Sequence, residues 1–292
     1  MISDIWSIAE SVEVPLPPPQ RTLLIVGERK AGKSSIVQNF LLQNSEEAPK
    51  ATVALEYKFA RSTSDSVAHI YELGGGRLLS NLINFPITEE TLGNLIVIIA
   101  LDLSIPYKVL DSLLYWIQVS KARIEEVQEK GTKGTGKKEK NGQGTAKIMV
   151  IGCKYDIFAN QESESRKWMG RVLRFFCLKN KASLFYYSSN EARLSGAVRQ
   201  TLSHYLFDEN ARVYDQKDHS QALQISEGVD SFELIGPPPG GKKAENPEYE
   251  WKKAFAKTFP KPEKRNYIIH LGVNALKKIL FYKYYFKLQI IY

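Results

Sequence analysis

The sequence lacks the features that define secreted and membrane-spanning proteins. Its 292 residues include only two cysteines, Cys153 and Cys177, which are too few for a disulfide framework and fit a reducing compartment. The longest apolar run, residues 95–101, is far shorter than the ~20 residues that a membrane-spanning helix needs. The N-terminus has no basic start followed by a long apolar stretch, so we expect no signal peptide. These absences predict a cytoplasmic protein without a transmembrane segment.

The excess of positive charge is modest and local. The chain has 40 lysine and arginine residues against 32 aspartate and glutamate residues, which gives a net charge of +8. Much of the excess lies in two stretches, residues 129–147 and 263–292, so we expect no direct binding of nucleic acid. Residues 129–147 contain no apolar side chain except Ala146, and we predict that they form a mobile insert.

The last stretch of the chain has no acidic residue after Glu263, and its lysines are interleaved with phenylalanine and tyrosine. Two interpretations of residues 263–292 stay open. They form either a basic amphipathic segment that binds a membrane or a partner, or a tail without a selected role. In both cases we predict that this basic aromatic tail is disordered.

The most informative motif is a glycine loop that begins at Gly27 and has the pattern glycine, four residues, glycine, lysine, serine. An apolar run, residues 23–26, precedes it, and a stretch of helical periodicity, residues 35–42, follows. A strand, a glycine loop and a helix N-terminus together form a cradle for phosphate groups. The predicted phosphate ligands are Gly27, Lys30, Ala31, Gly32, Lys33, Ser34 and Ser35.

Apolar runs alternate with amphipathic stretches over residues 21–207, which predicts an α/β fold with a doubly wound, mostly parallel sheet. The predicted strands are residues 23–26, 52–57, 67–73, 95–101, 148–152 and 183–187. The predicted helices are residues 35–42, 109–127, 162–176 and 191–207, with a further helix that begins near residue 88. No helix separates the second strand from the third, so we expect these two to pair in antiparallel fashion.

The segments on either side of this domain have a different character. Residues 1–20 end in a proline-rich stretch and are predicted to form an N-terminal strap. Residues 208–247 read as loop, and residues 248–259 as a short amphipathic helix. The aromatic stripe of that helix consists of Trp251, Phe255 and Phe259. We therefore expect an extension over residues 208–262 whose helix packs on the domain or on a partner.

The residues that would complete a nucleotide switch are altered. Glu72 stands at the end of the third strand, where a carboxylate would hold Mg²⁺ together with Ser34, and Thr52 is the candidate ligand from the switch loop. Gly76 occupies the place where an efficient GTPase has a glutamine that orients the attacking water. We therefore predict a Mg²⁺ site at Ser34, Thr52 and Glu72, no catalytic residue, and little or no hydrolysis of GTP.

The elements that would read the base are also incomplete. Lys154 and Asp156 follow the fifth strand, and Asp156 can accept two hydrogen bonds from guanine. Cys153 stands where such sites usually have an asparagine, so we expect weaker selectivity for guanine. Ser188 and Ser189 follow the last strand, where they would line the base. The predicted ligand is GDP or GTP.

Four segments together resemble one family. They are residues 54–57, 71–76, 154–158 and 228–232, and they are similar to the light intermediate chains of cytoplasmic dynein, above all to the type that serves intraflagellar transport. The resemblance covers roughly residues 20–260.

The resemblance implies a Ras-like P-loop domain that clamps onto the tail of the heavy chain of dynein 2 and assembles with its other subunits. It implies a motor subunit that acts on microtubules in retrograde transport and cilium biogenesis, located in the cytoplasm and cytoskeleton and in the cilium, with its basal body and axoneme. The candidate contacts to the heavy chain are exposed parts of the core helices, with Trp251, Phe255 and Phe259.

Two other functions stay open. An active Rab-like GTPase that regulates ciliary or vesicular traffic agrees with Gly32, Lys33 and Ser34 and disagrees with Gly76 and Cys153. A P-loop enzyme that uses ATP, such as a small kinase, is disfavoured by the carboxylate that follows the fifth strand and by the lack of an arginine-rich lid segment.

Overall fold

A computed structural model describes residues 20–42, 47–62, 66–135, 146–238 and 246–262. The strands are β1 (Arg21–Gly27), β2 (Leu55–Arg61), β3 (Val67–Leu73), β4 (Leu95–Asp102), β5 (Lys147–Cys153), β6 (Ala182–Tyr187), β7 (Asp215–Gln216) and β8 (Gln224–Ile225). The α-helices are α1 (Lys33–Leu41), α2 (Pro106–Thr135), α3 (Tyr155–Phe158), α4 (Ser163–Lys179), α5 (Ala192–Phe207), α6 (Phe232–Ile235) and α7 (Pro247–Thr258). Gly76–Asn84 and Leu92–Asn94 are 3-10 helices.

The strands form one eight-stranded sheet in the order β2-β3-β1-β4-β5-β6-β8-β7. Parallel pairing runs from β3 through β1, β4 and β5 to β6, while β2 pairs with β3 in antiparallel fashion. The predicted doubly wound, mostly parallel α/β fold and the antiparallel pair are confirmed. The carboxyl ends of β1, β3, β5 and β6 meet at one edge of the sheet, because parallel strands end on the same side.

The core has two layers because successive side chains of a strand point to opposite faces of the sheet. Leu24 of β1 belongs to one buried cluster, together with Trp116 of α2. Leu23 belongs to the other, together with Ile36 of α1 and Val198 of α5. Strands that are buried on both faces require continuous apolar runs, so these strands could be predicted from the sequence.

Two predicted elements differ in the structure. The strand predicted over residues 52–57 begins only at Leu55, so Thr52 lies in the loop before it. The helix predicted near Thr88 is absent from the described part of the chain, where a turn and the 3-10 helix Leu92–Asn94 lead into β4. Thr91 stabilises the turn, because its hydroxyl donates a hydrogen bond to the carbonyl oxygen of Pro86, five residues earlier.

The prediction of a mobile insert over residues 129–147 was partly wrong. Helix α2 continues to Thr135, well into the segment 129–147, and Lys147 belongs to β5. Val127 is buried in the core, and Lys130 forms an ion pair with Glu126 one turn earlier. Both contacts stabilise the helix beyond residue 129. The polar composition of the segment gave no indication of them. Residues 136–145 lie outside the described residues, as do the predicted strap up to residue 19 and the tail from residue 263.

The described part of residues 208–247 is mostly loop, as the sequence predicted, but it also contains the short strands β7 and β8 and the short helix α6, which continue the fold. Strand β8 pairs with β6, with Ile225 beside Leu184, and β7 adds the last strand of the sheet. Trp251, Phe255 and Phe259 are buried in the domain's own core, so they are not available as contacts to a heavy chain.

In the described part of the chain, no helix is long and apolar enough to cross a membrane.

Candidate nucleotide site

A cavity of about 630 Å³ lies beyond the carboxyl ends of β1, β3, β5 and β6. Most of the predicted site residues line it: Lys30, Ala31, Gly32, Lys33, Ser34, Ser35, Thr52, Glu72, Lys154, Asp156 and Ser189. Two do not. Gly27 is packed against β4 and reaches the site only through its carbonyl oxygen, and Ser188 is buried beside the cavity.

The glycine loop is shaped by its own backbone and by β5. Gly32 has φ +101°, a conformation that side chains rarely adopt, and it precedes the first residue of α1. A Cβ added to Gly32 would lie 3.1 Å from the sulfur of Cys153, so the loop packs directly on that cysteine. Burial raises the pKa of the Cys153 thiol to about 12, and the nearby Asp102 adds to the shift. The residue in the place of the usual asparagine is therefore a neutral thiol that fills space under the loop.

Lys33 is held in the loop by two backbone groups. Its Nζ donates hydrogen bonds to the carbonyl oxygens of Gly27, at 3.1 Å, and Glu28, at 2.7 Å. Burial lowers the pKa of the ammonium group, and the negative charge of Glu72 opposes that shift. The backbone N–H groups at a helix N-terminus attract phosphate, and the positive charge of the loop lysine adds to that attraction.

The candidate Mg²⁺ ligands Ser34 and Glu72 meet. The Ser34 hydroxyl donates a hydrogen bond of 2.5 Å to Oε1 of Glu72. Glu72 is only 1% exposed, and its other oxygen, Oε2, is buried without a hydrogen-bond partner among the described residues. An unpaired buried carboxylate oxygen beside a hydroxyl fits Mg²⁺, which binds proteins through one or two carboxylates and completes its shell with water and phosphate.

The third predicted metal ligand does not join them. Thr52 lines the cavity, but its hydroxyl donates a hydrogen bond to Oε2 of Glu56, at 2.9 Å. No group of three or more histidine, cysteine or acidic residues among the described residues forms a metal site. Of the three predicted Mg²⁺ ligands, the structure therefore brings Ser34 and Glu72 together, while Thr52 is bonded elsewhere.

The predicted base-reading residues are partly engaged with each other and with their neighbours. The ammonium group of Lys154 forms an ion pair with Asp102 at 2.5 Å, a contact that no sequence pattern indicated. Asp156 lines the cavity, and its Oδ2 accepts a hydrogen bond from the side-chain amide of Asn190 at 3.3 Å. Ser188, which was predicted to line the base, is buried beside the cavity, and its hydroxyl accepts a hydrogen bond from the backbone N–H of Asn190.

Other residues of the site were missed. Arg29 lies within the glycine loop and lines the cavity, so its position in the motif was an available signal. Glu28 of the same loop forms an ion pair with Arg77 at 2.5 Å, and Arg77 also contacts Asp111 of α2 at 2.7 Å. This three-residue network ties the glycine loop to the 3-10 helix Gly76–Asn84. No sequence signal could have found it, because the partners are far apart in the chain.

Fold and site together place the chain in the class of Ras-like P-loop proteins. The sequence profile of a family described as "Dynein light intermediate chain (DLIC)" matches residues 4–140. The chain is 32% identical to cytoplasmic dynein 2 light intermediate chain 1 of Danio rerio, over 83% of this chain and 75% of that protein. It is also 32% identical to the Homo sapiens protein of that name, over 89% of this chain and 79% of the other. The chain therefore belongs to the dynein light intermediate chain family, which confirms the resemblance.

A solved structure agrees with the fold. The crystal structure of the conserved domain of a dynein light intermediate chain matches 85% of this chain and 93% of its own length, with a TM-score of 0.55. The two sequences are 14% identical, so this likeness concerns the fold alone.

Proposed function

We propose that this chain is a non-catalytic light intermediate chain of cytoplasmic dynein 2. In this role it binds and stabilises the heavy chain, together with the other subunits, and serves retrograde intraflagellar transport and cilium assembly. The observation that carries the proposal is the 32% identity to the Danio rerio dynein 2 subunit over most of both chains. We expect the protein in the cytoplasm and at the cilium, including the basal body and axoneme.

We further propose that the cavity holds a guanine nucleotide, GDP or GTP, with Mg²⁺. The buried Lys33 at the N-terminus of α1 supports phosphate binding, and the unpaired oxygen of Glu72 beside Ser34 supports the metal. Asp156 lines the cavity, where it can accept hydrogen bonds from the base. The metal would compensate the negative charge of the phosphates, and Ser34 and Glu72 would hold it.

Two features near the glycine loop support the proposed lack of turnover. Gly76 supplies no side chain to orient a water molecule, and its φ of +63° suits glycine. Arg77, the next residue, is bound to Glu28 of the glycine loop and to Asp111 of α2. A segment that must move when GTP is hydrolysed is here connected to the rest of the domain by ion pairs, which favours a fixed structural role.

One observation favours an active Rab-like GTPase instead. The loop lysine Lys33 and two of the three predicted metal ligands, Ser34 and Glu72, lie together, and a partner protein could supply the missing catalytic group. A switch requires a large difference in partner affinity between the GDP and GTP forms, about 5.5 kcal/mol for a nearly complete change of population. Equal affinity of the two forms for the heavy chain supports the structural role.

The proposal is tested by producing the full chain with and without the tail of a dynein 2 heavy chain. We expect the two to co-purify, the heavy-chain tail to gain stability, and the bound nucleotide to be identified by chromatography as guanine. We also expect hydrolysis of GTP near background. A heavy chain that neither binds nor gains stability contradicts the proposal, and brisk turnover by the isolated chain favours the Rab-like alternative.

A variant separates the role of the pocket from the role of the complex. Lys33→Ala should abolish retention of the nucleotide, whereas Lys108→Ala, which removes an exposed lysine outside the cavity, should retain it. If Lys33→Ala still assembles with the heavy chain, the nucleotide is dispensable for assembly. If assembly is lost together with the nucleotide, the pocket holds the domain in its binding form.

A further inference from the structure

Arg29 is a cavity residue to which the proposed function assigns no role. It belongs to the glycine loop after β1, and its Nε donates a hydrogen bond of 3.3 Å to the carbonyl oxygen of Gly75. Gly75 belongs to the loop after β3, and both residues line the cavity. The guanidinium group therefore bridges the two loops at the mouth of the site.

Arg29, like the adjacent Lys30, forms no ion pair within the described part of the chain, whereas two other charged residues of the site do. Glu28 is paired with Arg77, and Lys154 is paired with Asp102. Among the ion pairs of the described residues, Arg29 takes part in none. Because its Nε is bound to a neutral carbonyl group, the N–H donors of its two terminal nitrogens are left for an anion.

The position of Arg29 selects which part of a nucleotide it meets. In the sheet, β3 lies on one side of β1, while β5 and β6 lie on the other. Glu72, the proposed metal ligand, lies near the carboxyl end of β3. Asp156, the proposed base ligand, follows β5. In P-loop proteins the metal bridges the second and third phosphates, so the β3 side receives the terminal phosphates. Arg29 lies on that side, because it is hydrogen-bonded to Gly75 in the loop that follows β3.

We infer that Arg29 binds the terminal phosphate of a nucleoside triphosphate and makes the site prefer the triphosphate to the diphosphate. This inference rests on the proposed nucleotide pocket and deepens it. The third phosphate adds negative charge beside a guanidinium group that has donors to offer. Arg29 would therefore add to the loop backbone and to Lys33, which reaches the second and third phosphates. Binding also connects the terminal phosphate to the Gly74–Gly76 segment.

The test measures the affinity of the full chain for GDP and for GTPγS, by displacement of a fluorescent GDP derivative at fixed Mg²⁺ and ionic strength. Arg29→Ala should weaken binding of GTPγS about tenfold and change binding of GDP by no more than about twofold. Arg29→Lys keeps the charge but not the fork of donors, so it should fall between. Arg61→Ala, which removes an exposed arginine outside the cavity, is the matched control and should change neither affinity.

The failure of this inference is distinguishable from failure of the proposed function. If Arg29→Ala weakens GDP and GTPγS equally, or weakens neither, Arg29 does not read the terminal phosphate, although the pocket stands. If the unmodified chain binds neither nucleotide, the pocket itself is wrong and the inference falls with it. Thermal unfolding followed by circular dichroism, and the affinity of Arg29→Ala for GDP, show that the variant is folded.

Discussion

Arg174 and Asp230 form a buried ion pair with two parallel hydrogen bonds, Nε to Oδ2 and Nη2 to Oδ1, both of 2.7 Å. Arg174 belongs to α4, and Asp230 lies in the extension, next to Ser231, whose hydroxyl caps α6. The side chains are 9% and 7% exposed. This contact fixes the extension to the P-loop domain, with the aromatic contact between Phe175 and Phe232 beside it.

The first prediction concerns this ion pair. Arg174→Ala should lower the free energy of unfolding by about 3–5 kcal/mol, because it leaves the Asp230 carboxylate buried without a partner. Lys130→Ala, which breaks an exposed pair with Glu126, should cost less than about 1 kcal/mol. Urea unfolding of both variants measures the difference. Equal, small losses would show that the extension is not held by this contact.

The second prediction concerns Gly74, at the carboxyl end of β3. A Cβ added there would lie 2.3 Å from the carbonyl oxygen of Thr52, so Gly74→Ala must displace the loop before β2. We expect a loss of about 1–3 kcal/mol in the free energy of unfolding. The control is Gly196→Ala, in the helix α5, where a Cβ meets nothing within 4 Å and should stabilise by about 0.5–1 kcal/mol. A neutral Gly74→Ala would mean that the loop adapts freely.

The third prediction concerns the network of Glu28, Arg77 and Asp111. Arg77 also lies 4.5 Å from the ring centre of Tyr115. Arg77→Ala should change global stability by less than about 1 kcal/mol, because the pairs are partly exposed. It should nevertheless speed amide hydrogen exchange in Gly76–Asn84, because the link to the glycine loop is lost.

Two variants control that measurement. Arg77→Lys should not restore slow exchange, since a lysine cannot make both bonds of the guanidinium group. Lys108→Ala, at an exposed position in the first turn of α2, should leave exchange in the 3-10 helix unchanged. Unaltered exchange in Arg77→Ala would refute the idea that the ion pairs immobilise this segment.

The fourth prediction concerns alkaline pH. Burial raises the pKa of Cys153 from 9.0 to about 12 and also raises the pKa values of Tyr186 and Tyr187. Between pH ~9 and ~12 the unfolded chain therefore releases protons that the folded chain keeps, so it binds fewer protons and stability falls as pH rises. Urea unfolding at several pH values from 7.5 upward measures this slope.

Cys153→Ala should make the alkaline decline shallower, because one of the groups responsible has been removed. The native thiol should also react slowly with Ellman's reagent at pH 8, since the reagent requires an exposed thiolate. Stability that is constant or rising over this pH range would contradict the burial of these groups.

The central strands and the glycine loop were predictable because their signals are local. Residues 95–101 are apolar throughout, which a strand covered on both faces requires, and they lie within β4. Gly32, Lys33 and Ser34 are adjacent in the chain, so one turn of backbone brings them to the cavity. The continuation of α2 past residue 129 was missed, because it depends on packing at Val127 rather than on the composition of the segment.

The partners of individual site residues were not predictable. Thr52 lines the cavity, but its hydroxyl donates a hydrogen bond to Glu56. Lys154 donates a hydrogen bond to Asp102. The partner of each side chain depends on the backbone geometry around it, which the sequence does not show. The bond between Arg29 and Gly75 joins loops that follow different strands, and no periodicity marks it.

The sequence by itself determined the parallel sheet, the phosphate loop and the family, because apolar runs and contiguous motifs act through neighbouring residues. The tertiary structure alone decided that the extension completes the sheet through β7 and β8 and that Asp230 is paired with Arg174. It also decided that Trp251 is part of the core and not a contact surface. Such contacts join residues far apart in the chain, and only the packed fold brings them within bonding distance.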